Sequence, residues 1–399
     1  MKRKKNEKLK FSFIQLTFWC SWCAFTSFAA LFFKSIGLSK PEIGFALSLS
    51  TLGGILGQFI WGFLCDKLHT IKKNFMVANL IILASILSFL VIRSTLWVWV
   101  MMFVLGFAQI PQPSILDTWI LKKLPGKEEE YGHIRLWASL GFAVSALIFG
   151  LLIRQFGFTV MFIAASFFIS ITLLVSFRLE DASEDLRSGK NLKKSFKTLF
   201  TNRRYIFFIA VCFIIGLAFR TVHLLLPLIL DNVKGTSWDL GLAYFFGVIT
   251  EIPMFLASKK LSKKYRSNIL FLLSVLLFIL HFVLLILAKS PFMVITAMFA
   301  QGLAFGNYLP AIRLFVNENA PDDLRTSAQT FADAICSSLT GVIGSAAGGI
   351  IIERHGVNTV LFIGTGLLSL AFCILLIHFL ISRRRSKNQN NRINNDILN

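Results

Sequence analysis

The chain has 399 residues, of which 55% are hydrophobic and only 15% charged, and its mean hydropathy is +0.70. A soluble domain carries about 25% charged residues, so a water-facing surface of this size cannot be built from this composition, and the chain reads as a polytopic membrane protein. The formal charge of +21 does not imply nucleic acid, because the 41 Lys and Arg are scattered through short loops and tails between apolar runs and assemble no folded basic face. Phe, at 42 residues, suits a surface that meets lipid.

A membrane-crossing helix needs about 20 apolar residues. Runs of that kind cover 11–33, 41–65, 74–92, 95–120, 134–153, 157–177, 205–230, 239–258, 267–288, 291–316, 327–352 and 357–381, which predicts twelve spans and an all-α fold. The first run follows MKRKKNEKLK but is too long for a signal-peptide core and no small-residue cleavage site follows, so it is expected to stay. Orientation follows from the cations. With the N-terminus inside, 32 of the 41 Lys and Arg fall in cytoplasmic segments and 7 in outside loops, with Arg220 and Arg313 inside spans. Both termini are therefore expected in the cytoplasm of a cell membrane. The long polar segment 178–204 divides the spans six and six. The expected organisation is an N-terminal bundle (1–177), a cytoplasmic linker (178–204), a C-terminal bundle (205–381) and a disordered cytoplasmic tail from 382 to 399.

A charge at mid-bilayer costs at least about 2.5–3.5 kcal/mol, so each one asks for a reason. Glu251 lies near the middle of the eighth run, beside Pro253, and is a candidate to load and release protons or, alternatively, a static partner of Arg220 in the seventh. Asp117 and Arg135 stand near the cytoplasmic ends of the fourth and fifth runs, where counting along the runs makes them a gate pair. Arg313 and Asp333 take similar positions in the second half with reversed sign, as an ion pair that latches or gates. His223 is one turn from Arg220. Both it and His281 read as proton relays or as hydrogen-bonded packing, whereas His378 near the end of the last run has no expected chemistry. Trp19, Trp22 and Tyr308 can stack on a ring, and Gln15, Gln58, Gln109, Gln301 and Asn307 can orient a solute or bond helix to helix. The pairs Gly53/Gly57, Gly302/Gly306 and Gly344/Gly348 have the G-x-x-x-G spacing of close helix contact.

Cysteines 20, 23, 65, 212, 336 and 373 all lie in or beside apolar runs, so extracytoplasmic disulfides are not expected. The C-x-x-C of Cys20 and Cys23 sits within one helix with no second ligand pair, so it reads as packing and no metal is expected. Gly126-Lys127 and Gly189-Lys190 have Leu121 and Glu184 where a phosphate loop needs its first Gly. No nucleophile elbow is present either, so no cofactor and no enzymatic centre is expected.

The two halves match each other weakly. A slide of 196 lays LGFAQIPQPSILDTW (105–119) on QGLAFGNYLPAIRLF (301–315), so that Gly106 meets Gly302 and Asp117 meets Arg313. A slide of 193 lays GFLCDKL (62–68) on FLASKKL (255–261). Parallel six-span repeats describe a transporter with its site between two halves.

Those stretches resemble the major facilitator superfamily. Gly62-Phe-Leu-Cys-Asp66-Lys67-Leu68, followed by Lys72 and Lys73, is similar to that superfamily's loop between spans two and three. There Gly62 would let helices approach and Asp66 would latch the cytoplasmic side; the second-half copy has Lys259 in place of Asp66. A narrower resemblance, to the lactose-permease and phenylpropionate-permease branch, is carried by 37–49, by Tyr131-Gly132…Arg135-x-Trp137-x-Ser139, by Glu251-Ile-Pro253 and by 324–329. It implies alternating-access transport of a small solute by a monomer, usually coupled to protons. It also makes Asp117 and Arg135, at the family spacing of 18, substrate ligands. The branch's titratable pair in span ten is not matched, since Ala300-Gln301-Gly302-Leu303 stands there. The reading is a proton-coupled symporter for a sugar, nucleoside or aromatic acid, with efflux of hydrophobic compounds, uniport and, distantly, a membrane enzyme as alternatives. Glu251, His223 and Arg220 would couple protons. Asp117, Arg135, Trp19, Trp22, Gln109, Gln301 and Asn307 would bind substrate, and Gly62, Asp66, Arg313 and Asp333 would gate.

Overall fold

The computed structural model describes residues 2–91, 94–123, 128–182, 202–265, 267–319 and 325–398, and among these every regular element is a helix. Twelve helices are long and apolar enough to cross a membrane: Glu7–Ser35, Lys40–Leu68, Ile71–Val91, Thr95–Lys123, Tyr131–Phe156, Thr159–Phe177, Arg203–Asn232, Ser237–Ser258, Ile269–Leu287, Pro291–Val316, Phe331–His355 and Val357–Ile381. They are spans one to twelve, and each covers an expected run. On the face that carries both termini, spans one, two, four and five extend three or four residues beyond the apolar runs. That extension brings Asp117 and Arg135 within helices rather than at their ends.

The packing repeats between halves. Span one packs on five and six, two on four, and three on four and six; correspondingly, seven packs on eleven and twelve, eight on ten, and nine on ten and twelve. Lipid tails are as apolar as the helices, so close backbone approach rather than water exclusion holds such bundles together. The three glycine pairs serve this approach. A Cβ on Gly53 or Gly57 would overlap the span-four backbone at Phe103 and Phe107, one on Gly302 or Gly306 would overlap span eight, and one on Gly344 or Gly348 would overlap Thr221 and Leu225 of span seven. A second repeat lies at the helix starts. The Ser39 backbone N–H donates to Glu42 Oε2 at 2.8 Å and the Thr236 N–H to Asp239 Oδ2 at 2.7 Å, so spans two and eight both begin with a capping box.

The halves meet mainly along spans two with eleven and five with eight. At the ends away from the termini these seams are tight. Gly44 lies against Ser345 and Gly349, Gly150 lies against Ser237 and Gly241, Lys34 pairs with Asp231, and Lys40 reaches Glu353 at 3.9 Å. At the opposite ends of spans two and five, Gly62 and Gly132 face open space. The halves thus part toward the terminal face. The close approach expected at Gly62 is absent for that reason, and Asp66 nearby is exposed.

Three spans are irregular. Span one breaks between Thr26 and Ala29, span four between Gln109 and Gln112, and span eleven opens with a π-helical turn over Ala334–Leu339. π-turns widen a helix locally and occur often at functional sites. Beyond span six, Asp181 accepts from the Ile71 and Lys72 backbone N–H groups at 3.1 and 2.9 Å, and Trp119 Nε1 donates to the Glu180 carbonyl at 3.1 Å. The first residues of the expected linker are therefore fixed to spans three and four, while residues 183–201 lie outside the described residues. The last helix runs from Val357 to Leu398, and residues 382–398 contain no Pro or Gly. Phe has two roles. Phe59, Phe63 and Phe167 face outward as expected, but Phe11, Phe18, Phe25, Phe33, Phe75 and Phe89 are fully buried and build the interior of the first bundle.

The glycine seams predict a contrast. Gly302→Val should lower the melting temperature, because overpacking costs about 1–3 kcal/mol, while Gly366→Val, at an exposed position with nothing within reach of its Cβ, should melt like the parent in detergent. Equal melting of the two variants would show that spans eight and ten do not depend on close approach.

Candidate functional site: a central cavity between the halves

A cavity of about 420 Å³ lies between the bundles. Span one contributes Trp19 and Trp22 to its wall, span two Leu47, and span five Arg135, Ser139 and Phe142. From the second half come Phe219, Arg220 and His223 of span seven, Tyr244, Gly247 and Glu251 of span eight, and Met298, Gln301 and Phe305 of span ten. Each set recurs at three-, four- or seven-residue steps, so each helix turns one face to the cavity.

The first-half wall is a connected chain. Trp19 and Trp22 stack with centroids 5.4 Å apart, and the Arg135 guanidinium lies over the Trp19 ring at 5.0 Å. Trp19 Nε1 donates to Gln15 Oε1 at 3.2 Å, and Gln15 Nε2 donates to Asp117 Oδ1 at 3.1 Å. Arg135 and Arg313 also act on Asp117 through space, and the Tyr131 hydroxyl donates a hydrogen bond to it. Asp117 itself is not among the residues lining the cavity. Stacking on an indole suits a guanidinium, which is weakly hydrated and planar.

In the second half, Glu251 is the one acidic side chain among the described residues lining the cavity. Gln301 and Arg135 are its polar neighbours. No ion pair joins Glu251 to Arg220, so the static partnership considered from the sequence is not formed. Arg220 makes no hydrogen bond or ion pair among the described residues, its Nε is buried without a partner, and no carboxylate is close enough to act on it. His223 Nδ1 is likewise unpartnered, although its ring packs against Phe219 at 5.4 Å and Tyr244 at 6.3 Å.

Other expected residues stand elsewhere. Asn307 donates to the Leu270 carbonyl at 2.7 Å and lies 2.9 Å from Ser274 Oγ, bonding span ten to span nine. Six residues turn a helix by about 600°, which carries Asn307 about 120° off the Gln301 face. Tyr308 is buried against span seven, and Gln109 sits behind the wall, accepting from Thr26 Oγ1 at 3.3 Å. Gln58 is exposed on span two outside the cavity. His281 is buried with Nδ1 2.9 Å from the Ala297 carbonyl, so it packs, and His378 stacks on Phe207. Arg313 and Asp333, both of the second half, are exposed and form no ion pair within 4.0 Å; Arg313 acts through space on Asp333 and, across the halves, on Asp117. Sequence reasoning missed Phe142, Phe219, Tyr244, Met298 and Phe305 as wall residues. Stepping by seven from Arg135 and from Glu251 would have found Phe142 and Tyr244.

Two pseudo-symmetric six-span bundles with a cavity between them, packed tightly at one face and parted toward the other, have the architecture of a secondary transporter. The MFS_1 like family model matches residues 8–363, and the chain belongs to that family, within the major facilitator superfamily. It is 26% identical over 343 residues to the uncharacterized transporter YwbF of Bacillus subtilis (strain 168), covering 85% of this chain and 84% of that one. To the maltose permease of Geobacillus stearothermophilus it is 23% identical, covering 81% and 82%. The fold matches the crystal structure of the nucleoside transporter NupG (D323A mutant) with a TM-score of 0.84 at 17% identity, over 93% of this chain and 99% of that one.

The wall assignment is testable by labelling. In a background stripped of native cysteines, Ser139→Cys should react readily with a small polar thiol reagent. Asn307→Cys should react at least ~10-fold more slowly, since a buried thiol is reached only through local opening. Comparable rates would move the cavity off this face of span ten.

Proposed function

We propose that the protein is a proton-coupled symporter that carries a small organic solute into the cell, with both termini cytoplasmic and the cavity turned toward the cytoplasm in this conformation. The observation that carries this reading is Glu251, an acidic side chain on the cavity wall with an amide and a guanidinium beside it and no ion-pair partner within 4.0 Å. A carboxyl group placed so can exist in two charge states without breaking a structural bond. Orientation rests on the cations, which are concentrated in segments on the terminal face.

In this mechanism Glu251 takes a proton and Gln301 holds the carboxyl in place. Arg135, Trp19 and Trp22 meet the solute, and the Trp pair offers a flat face for a ring. Asp117 acts through Gln15 and Arg135 as the group that positions this wall. When the terminal face closes, Arg313 is near enough in charge terms to pair with Asp117 across the halves, with Asp333 and Asp66 completing the latch. His223 stands beside the solute rather than in a proton relay, because no titratable partner bonds to it. The names of the relatives, a maltose permease and a nucleoside transporter, agree with a small organic cargo.

The test is proton movement in vesicles containing the purified protein, on adding pooled oligosaccharides, nucleosides or aromatic acids. Wild type should show solute-driven proton uptake. Glu251→Gln, which fixes the neutral form, should abolish that signal and lower concentrative uptake by at least ~10-fold while exchange of solute across the membrane continues. Full accumulation by Glu251→Gln would end the assignment of Glu251 and of coupling through it.

A further inference from the structure

The two cavity arginines differ in a way that bears on what the solute is. Arg135 acts through space on Asp117 and on Glu251, and its guanidinium is stacked on Trp19. Arg220 has no protein hydrogen bond, no ion pair and no carboxylate near it among the described residues, and the ring nitrogen of His223 one turn away is also unpartnered. Both side chains line the cavity. A guanidinium held in such a place without a counter-charge is strongly unfavourable, and breaking up a buried pair by leaving one charge alone is among the costlier things a protein can do. An anionic ligand in the cavity would supply a counter-charge where the protein offers Arg220 none.

We propose that Arg220 and His223 form an anion subsite, and that the transported solute is an organic monocarboxylate with an aromatic or similarly flat apolar body. This rests on the transport reading above and narrows its cargo. The guanidinium presents a planar fork of donors that matches a carboxylate in two parallel bonds. Aromatic rings make up much of the wall: Phe142, Tyr244, Phe219 and Phe305 line the cavity, and Trp19, Phe142, Tyr244, His223 and Phe219 follow one another in ring contact. A polyhydroxylated sugar would face these rings with most of its hydroxyls unbonded, at a cost for each one left dry.

Charge balance favours the same cargo. In the empty carrier an ionised Glu251 supplies one negative charge to the cavity. In the loaded carrier Glu251 is protonated and the solute's carboxylate supplies that charge instead. The buried charge is then the same in both forms that must reorient. A neutral solute moving with a proton would leave the loaded cavity one positive charge richer than the empty one.

The experiment uses matched pairs of single-ring aromatic acids and their primary amides, such as 3-phenylpropanoate and 3-phenylpropanamide, with benzoate, cinnamate and indole-3-acetate pairs, alongside phenyl phosphate, uridine and maltose. Binding is read on the full-length protein in detergent by thermal shift. At least one acid should bind about 10- to 100-fold more tightly than its amide, which is the range expected for charge-assisted hydrogen bonds. Arg220→Gln should bring that acid down to the amide's affinity and leave the amide unchanged, and Arg220→Lys should restore part of the difference. The acid–amide comparison needs only wild type, so a misfolded variant does not remove the test. Transport of the acid should be electroneutral. Binding of uridine or maltose that is unaffected by Arg220→Gln, with no acid bound, overturns the anion subsite but leaves solute transport standing. Preference for phenyl phosphate over every acid overturns the carboxylate assignment, and failure of the whole set to bind overturns it as well. Acid transport that survives Glu251→Gln with its proton movement intact would instead overturn the coupling reading while leaving this subsite in place.

Discussion

Inside a bilayer there is no water to accept a polar group left unbonded, and this constraint organises the whole molecule. Most polar side chains in the spans meet it locally. Thr17 bonds Thr172, Ser21 bonds the Ala165 carbonyl, and Asn307 bonds span nine. The charged groups meet it only in part: Gln15 bonds Asp117 and Gln301 bonds Glu251, while Arg220 has no such partner among the described residues. They are collected instead at the one place where two bundles face each other, and the cavity exists where they meet. The site and the fold are therefore one problem: the halves must be close enough to shield those charges and loose enough to let a solute reach them.

Glycine answers the first half of that problem. Within each bundle, Gly53, Gly57, Gly302 and Gly306 let neighbouring helices pack closely. Between bundles the same chemistry is used only at one end, where Gly44 meets Gly349 and Gly150 meets Gly241. These seams have few side chains to interlock, so they can close tightly and still separate. Ion pairs at the same end, Lys34 with Asp231 and Lys40 with Glu353, lie partly exposed. Exposed pairs contribute about 0–1 kcal/mol each, which is weak enough to break in a working cycle.

The twelve spans, their division six and six and the internal repeat were legible because lipid imposes a long, unambiguous apolar period. Glycine pairs and mid-span charges were legible for the same reason, being exceptions against a uniform background. What could not be read was direction. Asp117 and Asn307 are both polar residues at plausible depth, yet one does not line the cavity and the other bonds to span nine, and only the rotation of each helix decides that. The aromatic wall was hidden too, since Phe142 and Phe219 look like any of 42 Phe until the faces bearing Arg135 and Arg220 are known. The Gly62 region shows a further limit: the close approach expected there is not made in this conformation, whose halves are parted at that end.

The departures from the lactose-permease pattern are coherent once placed in space. Gln301 stands in span ten where that branch has a titratable pair, and it is a neighbour of Glu251 from span eight. An amide cannot exchange a proton, but it can hold a carboxyl group in either protonation state by presenting its N–H₂ to the ionised form and its carbonyl to the neutral one. Replacing a second acidic or basic group by such an amide removes competition for the proton and leaves a single exchangeable site. On the proposed reading proton exchange falls to Glu251, and among the described residues the second half has no other carboxylate in the cavity to answer Arg220. On the proposed reading such a carrier delegates one of its counter-ions to its cargo, and a vacancy for negative charge is the means by which it would recognise what it carries.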